Sequence, residues 1–489
     1  MSLKEEALRG VAWSATQKWG VRLISFTVML VLARLVLPES FGLVAYATVF
    51  TAFAEIFVDV GFSDAIVQFR KLDREHLDTA FWISILTGTF LSLATIAASG
   101  LIANGFHEPR LVPVLRWLSP VFILYALSSV QQSLLRRNLA FKSLTMRSLI
   151  ATISSGVVAV IMAFLGFGVW SLVAKLLVDS VVTVIVLWKV SSWRPTFHVS
   201  RKHIKELFSF GINILGGNFV DFLSVRSGDF LIGYFLGPIP LGYYSLGYNL
   251  LTVMIDLLVS VPNLVIFPIF SKIQGEPERL KSAFYEVIQL QSIIAFPIFL
   301  GIFIVAPEAI RVLYSDIWIA SIPIAQLLML TGIVRSAILI YSSIFRAAGK
   351  PSWRFYIYTL TAILNVAGFL LVVRMGIIAV AASYVVVSYL LMPLYLLMIR
   401  KLINVSIRSH LSQYVPSLVS SLIMIVVVLV LKYLVGQNFS VLIRLIIYMV
   451  IGAGAYLLSL RLIRPGMYTK MLELAKLAFP KFMARNIDS

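Results

Sequence analysis

The sequence predicts an all-α polytopic membrane protein with about fourteen transmembrane helices, built as two pseudo-symmetric six-helix bundles followed by two C-terminal helices. Three observations carry this prediction. Hydrophobic residues make up 60% of the 489 positions and charged residues 13%, whereas soluble domains carry about a quarter charged residues. The apolar residues gather in continuous stretches, and a helix of roughly 20 such residues spans a bilayer core about 30 Å thick. These stretches lack the period-two alternation of a transmembrane β-barrel, the other fold that satisfies every backbone group in lipid. Finally, lysine and arginine alternate from one break between stretches to the next.

The first span runs from about Ala12 to Leu37, behind a polar N-terminus with Lys4, Glu5, Glu6 and Arg9. No small-residue cleavage site follows it, which argues against a removed signal peptide. Hydrophilic breaks then fall near residues 38–41, 69–76, 103–112, 136–142, 165–168, 188–206, 236–241, 271–283, 306–316, 345–354, 373–376, 399–410 and 432–440. The last span runs from about Val441 to Leu460, before the tail at 461–489. Of the 41 lysines and arginines, 28 lie at the N-terminus, in every second break or in the tail, and only four lie in the other breaks. This is the positive-inside pattern. It places both termini in the cytoplasm and requires an even number of spans. The net charge of +19 is therefore a topology signal that also suits anionic lipid headgroups, and no nucleic-acid partner is expected. In the tail, Gly466 to Arg485 interleaves Leu472, Leu474, Leu477, Ala478 and Phe482 with Lys470, Lys476 and Lys481, the pattern of a cationic amphipathic helix on the cytoplasmic surface.

The chain repeats itself. VLARLVLPESFGLVAY at 31–46 aligns without gaps to LIGYFLGPIPLGYYSL at 231–246, pairing Pro38 with Pro238 and Gly42 with Gly242. A weaker echo pairs GVWSLVA at 168–174 with GIIAVAA at 376–382. The expected organisation is a first six-helix bundle at 1–190, a cytoplasmic linker at 191–206, a second bundle at 207–402, helices 13 and 14 at 403–464, and the tail at 465–489. Two even-numbered halves point the same way, and transporters built so place the substrate path between the repeats.

The loops expected outside are mere turns, such as PES at 38–40, GFG at 166–168 and GPIP at 237–240. They leave no room for the acid, base or metal site of a polytopic glycosyltransferase or polymerase. No P-loop, dinucleotide fingerprint, zinc-protease motif or nucleophile elbow occurs. There is no cysteine, hence no thiolate metal site, and no cofactor is expected.

Ionisable residues at membrane depth are costly and face a cavity or a partner. Span 1 carries Lys18 and Arg22, one turn apart, and Arg34 near its outer end; span 2 carries Glu55 and Asp59, with Asp64 beyond; span 7 carries Asp221, Arg226 and Asp229; span 8 carries Asp256; span 10 carries Arg335. The charges concentrate on the first hairpin of each half, as a charged cavity between pseudo-symmetric bundles requires. Arg226 and Asp229 read equally as a structural pair or as cavity groups. Lys18 suits snorkelling to the interface, and Arg34 suits an outer gate as well as a ligand. Glu55 and Asp59, like Asp256, are candidate H⁺ or Na⁺ sites or counter-charges for an arginine. Lys175 and Asp179 in span 6 read most simply as an intrahelical pair, Arg116 and Arg147 as interfacial, and Tyr243, Tyr244 and Tyr248 as an interfacial belt.

The opening residues LRGVAWSATQKWGVRLISFTVMLVLARLVLPESFGLVAYATVFTAFAEIFVDVGFSDAIVQ, with GYYSLGYNL, VIFPIFSKIQ and LLMLTGIVRSAILI, resemble the polysaccharide transporter family of the multidrug/oligosaccharidyl-lipid/polysaccharide exporter superfamily. The likeness is strongest to Wzx-type flippases of the colanic-acid kind. The resemblance implies two six-helix bundles plus two helices and a V-shaped cavity that opens inward and outward. The implied work is transfer of undecaprenyl-pyrophosphate-linked oligosaccharide across a bacterial or archaeal cytoplasmic membrane, for lipopolysaccharide or exopolysaccharide export. The cavity is expected to be basic, with Arg22, Arg34, Arg226, Arg335 and Lys18 as candidate substrate-binding residues and Glu55, Asp59, Asp256 and Asp229 as candidate ion-coupling residues. Expected partners are the lipid-linked oligosaccharide, membrane lipids, and a polysaccharide polymerase with its chain-length machinery. The fold also admits a small-molecule multidrug or ion antiporter, which arginines in the cavity disfavour for cationic cargo. A membrane enzyme or assembly scaffold is the alternative of another class, opposed by the short loops and the buried charges respectively.

Overall fold

The structure is a computed structural model that describes residues 3–260, 263–436 and 438–478. In chain order the helices are α1 (Leu3–Leu35), α2 (Pro38–Asp59), α3 (Phe62–Gln68), α4 (Arg74–Gly105), α5 (Leu111–Leu118), α6 (Val121–Arg137), α7 (Phe141–Phe164), α8 (Val169–Val190), α9 (Arg201–Leu236), α10 (Pro238–Ile255), α11 (Asn263–Lys272), α12 (Pro277–Leu313), α13 (Ile322–Ala347), α14 (Pro351–Val372), α15 (Ile377–Ile403), α16 (Ile407–Ser412), α17 (Val415–Val435), α18 (Val441–Ile463) and α19 (Pro465–Ala478). A π-helical turn, Asp256–Ser260, interrupts the segment between α10 and α11. Among the described residues no strand forms.

Among the described residues, twelve helical stretches are long and apolar enough to cross a membrane, so the chain is a multi-pass membrane protein. They comprise α2, α4, α5–α6, α7, α8, α9, α12, α13, α14, α15, α16–α17 and α18. The fourteen-span reading adds α1, whose 33 residues extend about 50 Å at 1.5 Å per residue, and the interrupted α10–α11 stretch. The amphipathic tail begins as α19, and its continuation through Lys481, Phe482 and Arg485 lies outside the described residues.

The breaks follow from local chemistry. Pro38 opens α2 and Pro277 opens α12, positions where proline's missing N–H costs no hydrogen bond. Between α9 and α10, Gly237 turns at φ 91° and Pro238 opens the next helix. Basic residues cap several helix ends by donating to the last carbonyls. Arg137 donates to Ile66 and Phe69 carbonyls at the end of α3, both at 2.7 Å. Arg194 does the same for Trp188 and Ser191 at the end of α8, at 2.7 and 2.6 Å. Basic residues of the hydrophilic breaks thus also finish helices.

The chain forms two compact units. The first comprises Met1–Leu246 and Phe355–Ser383. One core packs Phe62, Ala65 and Ile66 of α3 against Leu77, Ala80 and Phe81 of α4, Val130 of α6 and Leu207 of α9. The segment at 191–200 lies along the start of α4. Thr196 donates its backbone N–H to buried Asp78, Trp82 donates to the Thr196 carbonyl at 2.8 Å, and Trp82 stacks on Phe197.

The second unit comprises Gly247–Arg354 and Tyr384–Ser489. Its backbone is the 37-residue α12, against which α13, α17 and α18 pack. Ile304 and Val305 form a core with Val428, Leu445 and Tyr448 from the last two spans. Two prolines lie inside α12, Pro297 and Pro307, and each leaves the carbonyl four residues earlier without its helical donor. Neighbouring helices supply both missing donors. Tyr456 Oη of α18 donates to the Ile293 carbonyl at 2.8 Å, and Gln326 Nε2 of α13 donates to the Phe303 carbonyl at 3.0 Å.

Candidate functional site: a charged cavity in the first unit

A cavity of about 350 Å³ opens within the first unit. Its wall includes Ser25 of α1, Thr48, Thr51, Ala52 and Glu55 of α2, Thr152 and Ser155 of α7, Lys175, Asp179 and Ser180 of α8, and Arg226 of α9. The α2 residues recur at intervals of three and four, so one helix face carries them all. Lys175 and Asp179 share a face of α8 for the same reason. A wall of hydroxyls and both signs of charge, set among apolar helices, suits a polar ligand.

Local bonding holds the groups in place. Thr48 and Ser180 donate their hydroxyls to carbonyls of their own helices, Ala45 at 2.8 Å and Leu176 at 3.0 Å. Ser155 Oγ approaches Asp179 Oδ1 at 3.4 Å, joining α7 to α8. Arg226 Nη1 donates to Asp229 Oδ2 at 3.1 Å. Asp229 is buried while the Arg226 side chain remains partly open, so the pair presents a cation and conceals its counter-ion. Glu55 is near enough to Arg226 to feel its charge, and Asp179 feels both Lys175 and Arg147.

The structure brings Glu55 and Arg226 into one cavity, with Asp229 directly behind. Asp59 serves a corner of the backbone. Its Oδ1 accepts from Ser63 backbone N at 3.1 Å and from Ser63 Oγ at 2.6 Å, across a turn in which Val60 and Gly61 take φ 45° and 78°. Positive φ is strained for a β-branched residue, and the carboxylate clasps that corner shut. Arg22 is half-buried on α1, three residues before Ser25, and is not among the lining residues. Arg34 is exposed near the end of α1. The side chain of Lys18 lies outside the described portion. Arg335 and Asp256 belong to the second unit, where Arg335 donates to Tyr248 Oη at 3.4 Å and Asp256 opens the π-helical turn. In sequence Lys175 and Asp179 read as a pair for each other, and the threonines and serines of the wall carry no charge that marks them. The available signal was Thr48, Thr51 and Glu55 at helical spacing on one span.

A family of polysaccharide biosynthesis proteins matches residues 31–323, more than half of the chain. The chain belongs to the polysaccharide biosynthesis protein family. The family read from the sequence stretches above is borne out. Among fellow polysaccharide biosynthesis proteins, the teichuronic acid biosynthesis protein TuaB of Bacillus subtilis is 26% identical, over 98% of this chain and 100% of TuaB. The lipopolysaccharide biosynthesis protein WzxC of Escherichia coli is 26% identical over 89% of both chains. The structure of the lipid II flippase MurJ in an inward closed conformation superposes with a TM-score of 0.77 at 16% identity, covering 94% of this chain and all of that one. At that identity the likeness is one of fold.

Proposed function

We propose that this protein is a flippase that carries a lipid-linked oligosaccharide from the cytoplasmic to the outer leaflet by alternating access. The observation that carries the reading is the cavity of hydroxyls and charges around Arg226, in a chain whose relatives are named for building teichuronic acid and lipopolysaccharide. The cargo class is an undecaprenyl-pyrophosphate-linked repeat unit. Its pyrophosphate needs cations, because dragging bare charge through a bilayer is prohibitive. Arg226 offers a planar fork matched to phosphate oxygens, and Lys175 a compact ammonium. The threonine and serine hydroxyls stand in for water around the sugars, while the polyprenyl tail stays in lipid. Arg22, Arg34, Arg335 and Lys18 extend the basic path at other stages of the cycle. Glu55, which lines the cavity, is the foremost candidate for coupling to H⁺ or Na⁺ among the four carboxylates read from the sequence, ahead of Asp59, Asp229 and Asp256.

The protein sits in the cytoplasmic membrane with both termini inside, on the alternation of basic breaks. Its two repeat-related halves, residues 1–190 and 207–402, alternate access, and helices 13 and 14 are additions. It works as a transporter and not as an enzyme, handing its cargo to the polymerase and chain-length machinery. Flipping of a pyrophosphate-linked glycolipid in proteoliposomes tests this. Arg226→Gln and Lys175→Gln are expected to slow flipping at least ten-fold, and Arg22→Gln to slow it less. Wild-type rates in all three variants would sink the proposal, as would accumulation of small organic cations with no glycolipid flipping.

A further inference from the structure

Three of the five histidines gather where α4 and α9 begin. The rings of His76 and His203 stand 4.0 Å apart, inclined at 47°, and the two residues are only 5% and 6% exposed. His76 Nε2 lies 3.0 Å from Glu206 Oε2, and its Nδ1 lies 3.9 Å from Asp73 Oδ2. His203 Nδ1 is buried and makes no hydrogen bond among the described residues. Glu75 Oε2 stands 3.5 Å from that nitrogen and 3.4 Å from His198 Nε2. One donor atom from each of Asp73, His76 and His203 lies within 4.8 Å of the other two.

We infer that Asp73, His76 and His203 bind a divalent transition-metal ion of the Zn²⁺ class, which fastens the start of α9 to the start of α4. Two imidazoles and one carboxylate suit Zn²⁺, Co²⁺ or Ni²⁺, whereas Mg²⁺ and Ca²⁺ require oxygen cages. Ligands about 2.0–2.1 Å from a tetrahedral ion lie roughly 3.4 Å from one another. The donor atoms must therefore close by about an ångström or a little more, and Asp73, whose side chain is 72% exposed, turns toward the ion by giving up its capping-box contact with the His76 backbone N–H. The surroundings favour coordination through Nδ1 of His76. Its Nε2 already faces Glu206, and a carboxylate on the far nitrogen of a ligating histidine is the usual outer partner that fixes tautomer and ring orientation. Binding at Nδ1 gives up only its 3.3 Å contact with the backbone N–H of Asp73. His203 Nδ1, the buried nitrogen without a hydrogen bond, gains the ligand it lacks. Glu75 or water fills the remaining place. None of Asp73, His76 and His203 lines the cavity, so this inference is independent of the flippase reading.

The test uses the full chain in detergent, with a histidine-free tag, stripped by chelator and titrated with Zn²⁺, Co²⁺ or Mg²⁺. Calorimetry and elemental analysis are expected to find one Zn²⁺ per chain, and Co²⁺ to give the visible absorption of a tetrahedral nitrogen–oxygen site. The unfolding midpoint should rise with Zn²⁺ and not with Mg²⁺, because an ion at a hundred times its Kd raises the folded-to-unfolded ratio about 100-fold. His203→Gln should weaken Zn²⁺ binding at least ten-fold. Asp73→Asn, an exposed change that leaves circular dichroism and the metal-free midpoint unaltered, should do the same. His198→Gln should bind as the wild type. Wild-type affinity in both His203→Gln and Asp73→Asn, no stoichiometric Zn²⁺, or an equal response to Mg²⁺ would overturn the site and leave a histidine–carboxylate hydrogen-bond cluster.

Discussion

Gly42 and Gly242, partners in the internal repeat, meet backbone to backbone in the first unit. A Cβ on Gly42 would fall 1.8 Å from the Pro238 carbonyl oxygen, and a Cβ on Gly242 would fall 2.0 Å from that of Pro38. Each repeat-related proline thus presses on the other copy's glycine, across the first turns of α2 and α10. The near-symmetry seen in sequence is a contact in space, and only glycine permits it.

Gly42→Ala and Gly242→Ala should therefore each force the two turns apart. Overpacking of this kind costs about 1–3 kcal/mol, visible as a lower unfolding midpoint in detergent. Gly454→Ala on α18, where an added Cβ meets nothing within 4 Å, is the matched control and should lose nothing. Equal midpoints for all three would disprove the close approach.

Asp59 and Glu55 sit one turn apart on α2, yet their variants should separate. Asp59→Ala removes the clasp on Ser63 and should cost about 0.5–2 kcal/mol, in the range of a lost helix cap. Asp59→Asn keeps an acceptor and should recover most of that stability. Glu55→Gln should leave stability nearly intact and alter the pH or Na⁺ dependence of flipping. A proton- or sodium-dependence unchanged in Glu55→Gln but lost in Asp59→Asn would reverse these roles.

Tyr456→Phe removes the donor to the carbonyl that Pro297 freed. Both Tyr456 and Ile293 are buried, so the orphaned carbonyl should cost about 1–3 kcal/mol. Restoring the helical donor with Pro297→Ala in the same chain should recover part of the loss. A double mutant no better than Tyr456→Phe alone would contradict the pairing.

Acid should loosen the turn between α4 and α5. Arg110 donates to Glu108 at 2.7 and 2.9 Å and to Glu39 at 2.6 Å, and these hydrogen bonds hold the Glu108 carboxyl below its ordinary value of 4.5. A carboxyl with a lowered folded pKa stabilises above its unfolded value and loses that stabilisation as pH falls through the folded one. The wild type should lose more stability than Glu108→Gln as pH is lowered below about 4.5, measured by unfolding midpoints across that window. Parallel pH profiles would show that the contact contributes nothing.

Hydropathy, charge alternation and the proline–glycine repeat were enough for the sequence by itself to determine a multi-pass helical protein, its family, its breaks and the presence of charges at membrane depth. Those properties are local or statistical: span length follows bilayer thickness, and a buried charge is visible wherever it stands in an apolar run. Which charges meet was left to the tertiary structure. Glu55 on α2 and Arg226 on α9 lie 171 positions apart and share a wall with Lys175 and Asp179, whereas Asp59, one turn from Glu55, is turned to a strained corner. Helical spacing says which residues share a face and nothing about what that face packs against. The partners of Asp59 and of the carbonyls freed by Pro297 and Pro307 come from helix packing, because each must satisfy a polar group where water is scarce.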